Sequence, residues 1–187
     1  MKMKLTAVTV LIGMLALGLA ACGPGGGGAG ASMLGMVPAG DFDGIITVRP
    51  VELFESEFLS NLTDSFPLFT LILTQMKSQM ADTAIDIEKL DMLLFAGSTQ
   101  EQLVMFKADW AEEDLVSSYE DDKGVELQQA EYGGMSYWLD ETNGDAMVHI
   151  GDVYVTGPEA MVKKVIDLNS GTGEKYADSE AFAKAEK

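Results

Sequence analysis

Residues 135–157, "MSYWLDETNGDAMVHIGDVYVTG", hold three short runs rich in β-branched and aromatic side chains, cut by two turn signals. Asn143-Gly144 within "ETNGD" is a strong short hairpin signal, and Gly151-Asp152 marks a second tight turn. Two hairpins in succession make an antiparallel meander of "MSYWLD", "AMVHI" and "VYVTG". One strand upstream, "VELQQAE" enters the same meander through Tyr132-Gly133-Gly134. Downstream, Pro158 suits the first turn of a helix, "PEAMVKKVIDL", with Met161, Val165 and Leu168 on one face. A loop, "SGTGEK", and a short helix, "SEAFAKAEK", complete the chain.

Working towards the N-terminus, "LDMLLFAG", the turn "STQE" and "QLVMFKA" form another hairpin. Asp109 opens a helix: Asp109 and Glu112 have capping-box spacing, and Glu112, Glu113 and Asp114 favour the positive end of the helix dipole. Gly124 ends it. "GIITVRP", residues 44–50, is a first strand closed by proline. Val51, Phe54, Phe58 and Leu62 then recur at helical spacing. A second helix follows in "SFPLFTLILTQMKSQMADTA", capped by Ser65, with Leu68, Leu71, Ile72, Met76 and Met80 as its apolar stripe. Met33 and Met36 read as apolar packing or mobile linker rather than as a thioether metal site.

Hairpins dominate, so the expected class is α+β: a mainly antiparallel sheet with helices packed on one face. The helix–strand–strand–helix–strand centre suggests a ferredoxin-like arrangement in part. "EYGGMSYW" together with "GDVYVTGPEAMVKKVID" resembles a tandem α+β unit of uncharacterised exported bacterial proteins. That resemblance spans residues 41–187 and carries no assigned activity. It implies a chain ending where a second copy would begin, and hence either self-association or a shortened gene product.

The N-terminal residues give an address. Lys2 and Lys4 precede "LTAVTVLIGMLALGLAA", 17 uncharged residues ending in small side chains, and Cys22, the only cysteine, comes next. Leu19-Ala20-Ala21-Cys22 resembles the lipobox of bacterial lipoproteins. The resemblance implies cleavage between Ala21 and Cys22, diacylglycerol on the Cys22 sulfur and a fatty acyl chain, palmitate or similar, on its amino group. Gly23 rather than Asp after the cysteine implies the outer membrane in a Gram-negative host. Three other readings of the same run are an uncleaved membrane anchor, at the low edge of spanning length, an ordinary secretory signal that leaves a free thiol, and a buried core helix, which the polyglycine tract directly after it disfavours. The expected organisation is a signal peptide over residues 1–21, a lipidated cysteine and glycine-rich linker over 22–40, and a single α+β domain over 41–187. Gly23, Gly25 and Gly28 satisfy G-x-G-x-x-G, but no strand precedes them and no helix opens after them, so they are no dinucleotide site.

Charge narrows the partners. Asp and Glu number 30 against 12 Lys and Arg. Lys2 and Lys4 belong to the leader, so the remainder carries ten cations against thirty anions, a net of −20. Such a body is repelled by nucleic acid, which proteins grip with Lys and Arg, and by anionic lipid headgroups. A lone cysteine makes no internal disulfide, and one histidine leaves the common zinc patterns unavailable. G-x-S-x-G, H-E-x-x-H, paired cysteines and a Walker A string are all missing from the sequence. No catalytic residue and no metal site are assigned, and the only group expected to be bound is the covalent lipid on Cys22. His149, in a hairpin strand, reads as a structural or rim residue.

Trp138, Tyr137, Tyr132 and Tyr154 are the candidate surface aromatics: with helices on one face only, alternation leaves one set partly exposed, to stack on sugars or form a protein contact; the bland reading, which is preferred, is core packing plus hairpin pairs. The expectation is a membrane-anchored lipoprotein of the cell envelope, its body in the periplasm or outside, with a non-enzymatic binding or envelope-structural role and a protein partner. Two alternatives stand beside it. One is an exported hydrolase using two carboxylates. The other is an acidic divalent-cation-binding module drawing on Asp41, Asp43, Asp140, Glu141, Asn143 and Asp145.

Overall fold

The computed structural model describes residues 33–39, 42, 44–56, 89–98 and 102–178. The leader with Ala21 and Cys22, the expected second helix and the C-terminal "SEAFAKAEK" lie outside the described residues. Seven strands appear in chain order: β1 (Gly44–Val48), β2 (Leu90–Gly97), β3 (Gln102–Ala108), β4 (Gln128–Tyr132), β5 (Met135–Asp140), β6 (Asp145–Ile150) and β7 (Val153–Pro158). The helices are α1 (Pro50–Phe54) after β1, α2 (Glu112–Lys123) between β3 and β4, and α3 (Glu159–Asn169) after β7, with a 3-10 turn at Tyr176–Asp178.

The strands form one sheet in the order β1-β2-β3-β7-β6-β5-β4. Every pair in it is antiparallel. The α+β class with a mainly antiparallel sheet is therefore as expected. A split βαβ unit needs parallel neighbours; the described strands contain none, so a ferredoxin-like arrangement is not confirmed.

The crossover from β3 to β4 shapes the molecule. These two strands run in the same direction with β7, β6 and β5 between them. The chain must step over four strand spacings, about 19 Å at ~4.8 Å each. Helix α2, with 12 residues, is about 18 Å long at 1.5 Å per residue, enough to cross the sheet.

The helices consequently divide between the faces, which corrects the expectation of one helical face. On one side, Met161, Val162, Val165 and Ile166 of α3 are at most 1% exposed and pack with Met92, Leu94, Leu103, Met105, Val148 and Val155. On the other, Leu115 and Val116 of α2 pack with Leu127, Met147 and Tyr154, flanked by Phe106, Trp110, Tyr119 and Trp138. Met33 and Val37 are fully buried in the α3-side core, where Ala39 N–H donates to the Glu174 carbonyl and Tyr176 N–H to that of Val37, both at 2.8 Å. The folded body thus includes residues 33–39, upstream of the boundary at 41 read from sequence.

Two local expectations also change. Helix α2 begins at Glu112 with Ala111 as its N-cap and no side-chain cap, so the Asp109–Glu112 capping box does not form. Glu112, Glu113 and Asp114 do occupy its first turn, and Gly124, at φ 67°, closes it as a left-handed cap. The two-residue turn with both φ values positive sits at Gly133-Gly134. At Asn143-Gly144 the Asp140–Asp145 pair closes a four-residue connection instead, with the Gly144 N–H donating to the Asp140 carbonyl at 2.8 Å.

Candidate functional site

Antiparallel register sets His149, Tyr154 and Phe106 side by side across β6, β7 and β3 on the α2 face. Their rings stack in that order, His149 on Tyr154 at 4.1 Å between centroids and Tyr154 on Phe106 at 5.2 Å, and Trp110 lies 5.7 Å beyond. The Tyr154 hydroxyl donates to the Trp110 carbonyl at 2.9 Å. Burial, then the charges of Glu112 and Glu113, push its pKa up. Trp138 lies on the same face. Its Nε1–H donates to Glu112 Oε1 at 2.7 Å, while Glu112 Oε2 stands 3.7 Å from His149 Nδ1. One carboxylate of α2 thereby ties the helix to β5 and stands beside β6.

The opposite face holds the other alternating set. The Tyr137 hydroxyl donates to Glu159 Oε1 at 2.6 Å, and Lys163 Nζ lies 2.8 Å from the same oxygen. The hydrogen bonds from Lys163 and Tyr137 draw the Glu159 pKa down, and the bond to Glu159 raises that of Tyr137. Lys163 Nζ also sits 5.2 Å above the Tyr132 ring, in cation–π range, and Tyr132 donates to Asp167 Oδ2 at 3.3 Å.

These positions correct the sequence-predicted surface aromatics. Tyr137 and Tyr154 are buried, at 4% and 3% exposure, and Trp138 and Tyr132 are half-buried with partners in their own chain. The reason is the division of helices: with α3 below and α2 above, both sides of the alternation are covered. The four aromatics do not form one site.

Sequence reasoning missed the role of Asp140, read as one ligand of an acidic turn. Its side chain is fully buried. Oδ1 accepts the N–H groups of Thr142 and Asn143 at 2.9 and 3.1 Å, and Oδ2 accepts Asn143 Nδ2 at 2.7 Å and the Tyr119 hydroxyl at 3.2 Å. Burial alone would raise the Asp140 pKa, but the bonds from Asn143, Thr142 and Tyr119 outweigh it, and the pKa lies below the ordinary carboxylate value. Asp145 moves the other way, raised first by burial and then by the Asp140 charge. Neighbouring acids of opposite shift are a pattern of acid–base sites. Here both Asp140 oxygens are committed beneath the loop, out of a substrate's reach. The residue-spacing cue was present: an Asp followed at +2 and +3 by Thr and Asn is an Asx-turn pattern.

Among the described residues, no group of three or more His, Cys, Asp or Glu side chains is placed to hold a metal ion. Asp41 and Asp43 of the expected cation set lie outside the described residues, as do Ala21 and Cys22. Recesses of about 480 Å³ beside Arg49, Glu52, Lys89, Asp91 and Asp109, and about 230 Å³ beside Lys164, Asp167 and Glu174, indent the surface. Comparison with family models, curated proteins and solved structures finds no match to this chain.

Proposed function

We propose that this protein is a lipid-anchored lipoprotein of the bacterial cell envelope whose acidic body acts by binding a protein partner, without catalysis. One observation carries the reading: the sole cysteine stands directly after an apolar run ending Leu19-Ala20-Ala21, with two lysines before it and glycine-rich sequence after it. Each acyl CH₂ entering a bilayer contributes about 0.8 kcal/mol, and two chains give stable anchoring where one does not. Residues 23–32 separate Cys22 from Met33, the first described residue and a buried one. At ~5–6 Å × √n, ten glycine-rich residues reach about 17 Å. That exceeds the Debye length of about 8 Å at physiological salt, so the tether lets a body of net charge −20 stand clear of anionic headgroups.

The test is mass spectrometry of the full-length product recovered from membranes. The expected species begins at Cys22 and carries diacylglycerol plus a fatty acyl chain. Cys22→Ser should leave the body folded but move it to the soluble fraction, or stall it with the leader attached. A native product with an intact leader, or one that begins at Cys22 without acyl chains, refutes the proposal.

A further inference from the structure

Asn143 is the only asparagine of the sequence that is followed by glycine. That pairing is a reactive one, because glycine has no Cβ to shield its own nitrogen from the asparagine side chain. Both residues are exposed to water, and nothing lies within 4 Å of where a Gly144 Cβ would stand. The turn nevertheless holds both nitrogens that would react, and a single residue holds them. The Gly144 N–H, which would supply the nucleophile, donates to the Asp140 carbonyl at 2.8 Å. Asn143 Nδ2, which would leave, donates to Asp140 Oδ2 at 2.7 Å. A hydrogen bond made by the neutral N–H disfavours its ionisation. The Asp140 carboxyl, its pKa below the ordinary value, is an acceptor at neutral pH with no proton to give to departing ammonia.

We propose that Asn143 is a latent deamidation site, closed in the folded turn by Asp140 and opened when that turn lets go. The chemistry needs water alone. The Gly144 nitrogen, its proton lost to solvent, attacks Asn143 Cγ. The N–Cγ bond forms, the Cγ–Nδ2 bond breaks, and Nδ2 takes a proton from water and leaves as ammonia. A second water opens the cyclic imide at Cγ, giving aspartate, or at the backbone carbonyl carbon, giving isoaspartate. Nothing is oxidised or reduced. The change locks itself in. It replaces a donor to Asp140 Oδ2 with a carboxylate, in a turn that already carries Asp140, Glu141 and Asp145. Like charges so close disfavour each other, so the turn does not reclose as before. Tyr119 reaches the same Oδ2 from α2 at 3.2 Å, so the tie between helix and sheet loosens with it. Deamidation at this one position therefore converts a local opening into a permanent mark on the folded body. This inference does not rest on the lipid anchor.

Peptide-mapping mass spectrometry of the full chain in detergent, with aspartate and isoaspartate resolved, follows position 143 during incubation at neutral pH. In urea, where the turn is open, conversion should run about tenfold or more faster than in the native protein. Asp140→Asn, which gives up the carboxylate, should speed native conversion by about fivefold. Leu94→Val, which loosens the core at β2 away from this turn, should leave the rate unchanged, because the opening that matters is local. Asn143→Asp, made genetically, should melt about 3 °C or more below the wild type at pH 7. Conversion absent in urea or as fast in the native protein, a wild-type rate in Asp140→Asn, a rate in Leu94→Val equal to that in Asp140→Asn, or a wild-type Tm in Asn143→Asp overturns the proposal.

Discussion

Replacing Asp140 by alanine removes the acceptor for four donors at once and leaves the connection between β5 and β6 without its internal tie. Hydrogen bonds to a charged group contribute about 1.5–3 kcal/mol each when buried. Residues 141–144 are exposed, so the Thr142 and Asn143 N–H groups regain water, and their loss scales like that of a helix cap, about 1–2 kcal/mol. Tyr119 is half-buried and reaches Asp140 from α2, so its orphaned hydroxyl and the emptied carboxylate site add about 1–2 kcal/mol. The sum is about 2–4 kcal/mol. For a chain of this size each kcal/mol moves Tm by about 2–4 °C, so Asp140→Ala should melt about 4–16 °C below the wild type at pH 7, followed by circular dichroism on the full chain in detergent.

Asp140→Asn sharpens the test. The amide oxygen still accepts the two loop N–H groups, but the amide nitrogen faces Asn143 Nδ2 and the Tyr119 hydroxyl, so roughly half the loss is expected. The pH dependence has a fixed sign. The folded carboxyl has a pKa below its unfolded value of about 3.9. Its stabilisation is therefore complete above that unfolded value and is lost as pH falls through the folded one. The gap between wild type and Asp140→Asn should narrow below about pH 4. A Tm for Asp140→Ala within about 1 °C of wild type, or a gap that stays constant from pH 7 to pH 3, refutes the argument that this buried carboxylate pins the loop.

Asp145→Asn should act in the opposite sense. Its folded pKa is raised by burial and by Asp140, so the native state favours the protonated form, and that advantage is lost as pH rises through the folded pKa. Removing the charge should raise Tm at pH 7 by on the order of 1–2 °C, the group being partly solvated; the gain should vanish below about pH 4, and a fall in Tm at pH 7 would contradict it. Gly157→Ala tests the seam between β3 and β7: a Cβ there would lie 2.6 Å from the Gln102 carbonyl oxygen and 3.5 Å from the Leu103 Cα. Backbone must shift to admit it, so a loss of about 2–3 kcal/mol is expected, seen as a lower urea midpoint with an unchanged slope; a midpoint equal to wild type shows that the seam is looser than this geometry.

The strands were legible because side-chain alternation is a local property. Leu90–Gly97, Gln102–Ala108 and Met135–Asp140 coincide with "LDMLLFAG", "QLVMFKA" and "MSYWLD", and α3 shows its buried face as the spacing of Met161, Val165 and Leu168. Strand order was not legible, because nothing local in β3 or β4 says that three later strands insert between them. That one fact placed α2 across the second face and took Trp138 and Tyr154 into packing, as the core-packing reading has it, rather than onto an open surface. Helix α2 gave no warning of its own: "EEDLVSSYEDDK" buries only Leu115 and Val116, and in isolation reads as a solvated helix. It needs so little grease because the sheet supplies the bulk, through Phe106, Tyr154 and Trp138, while the helix contributes two aliphatic side chains and Glu112. A thin polar helix over an aromatic sheet face is held by the Glu112–Trp138 and Tyr119–Asp140 hydrogen bonds as well as by burial. The acidity that the composition displays as surface charge therefore includes two carboxylates, Glu112 and Asp140, that work as structural ties between α2 and the sheet.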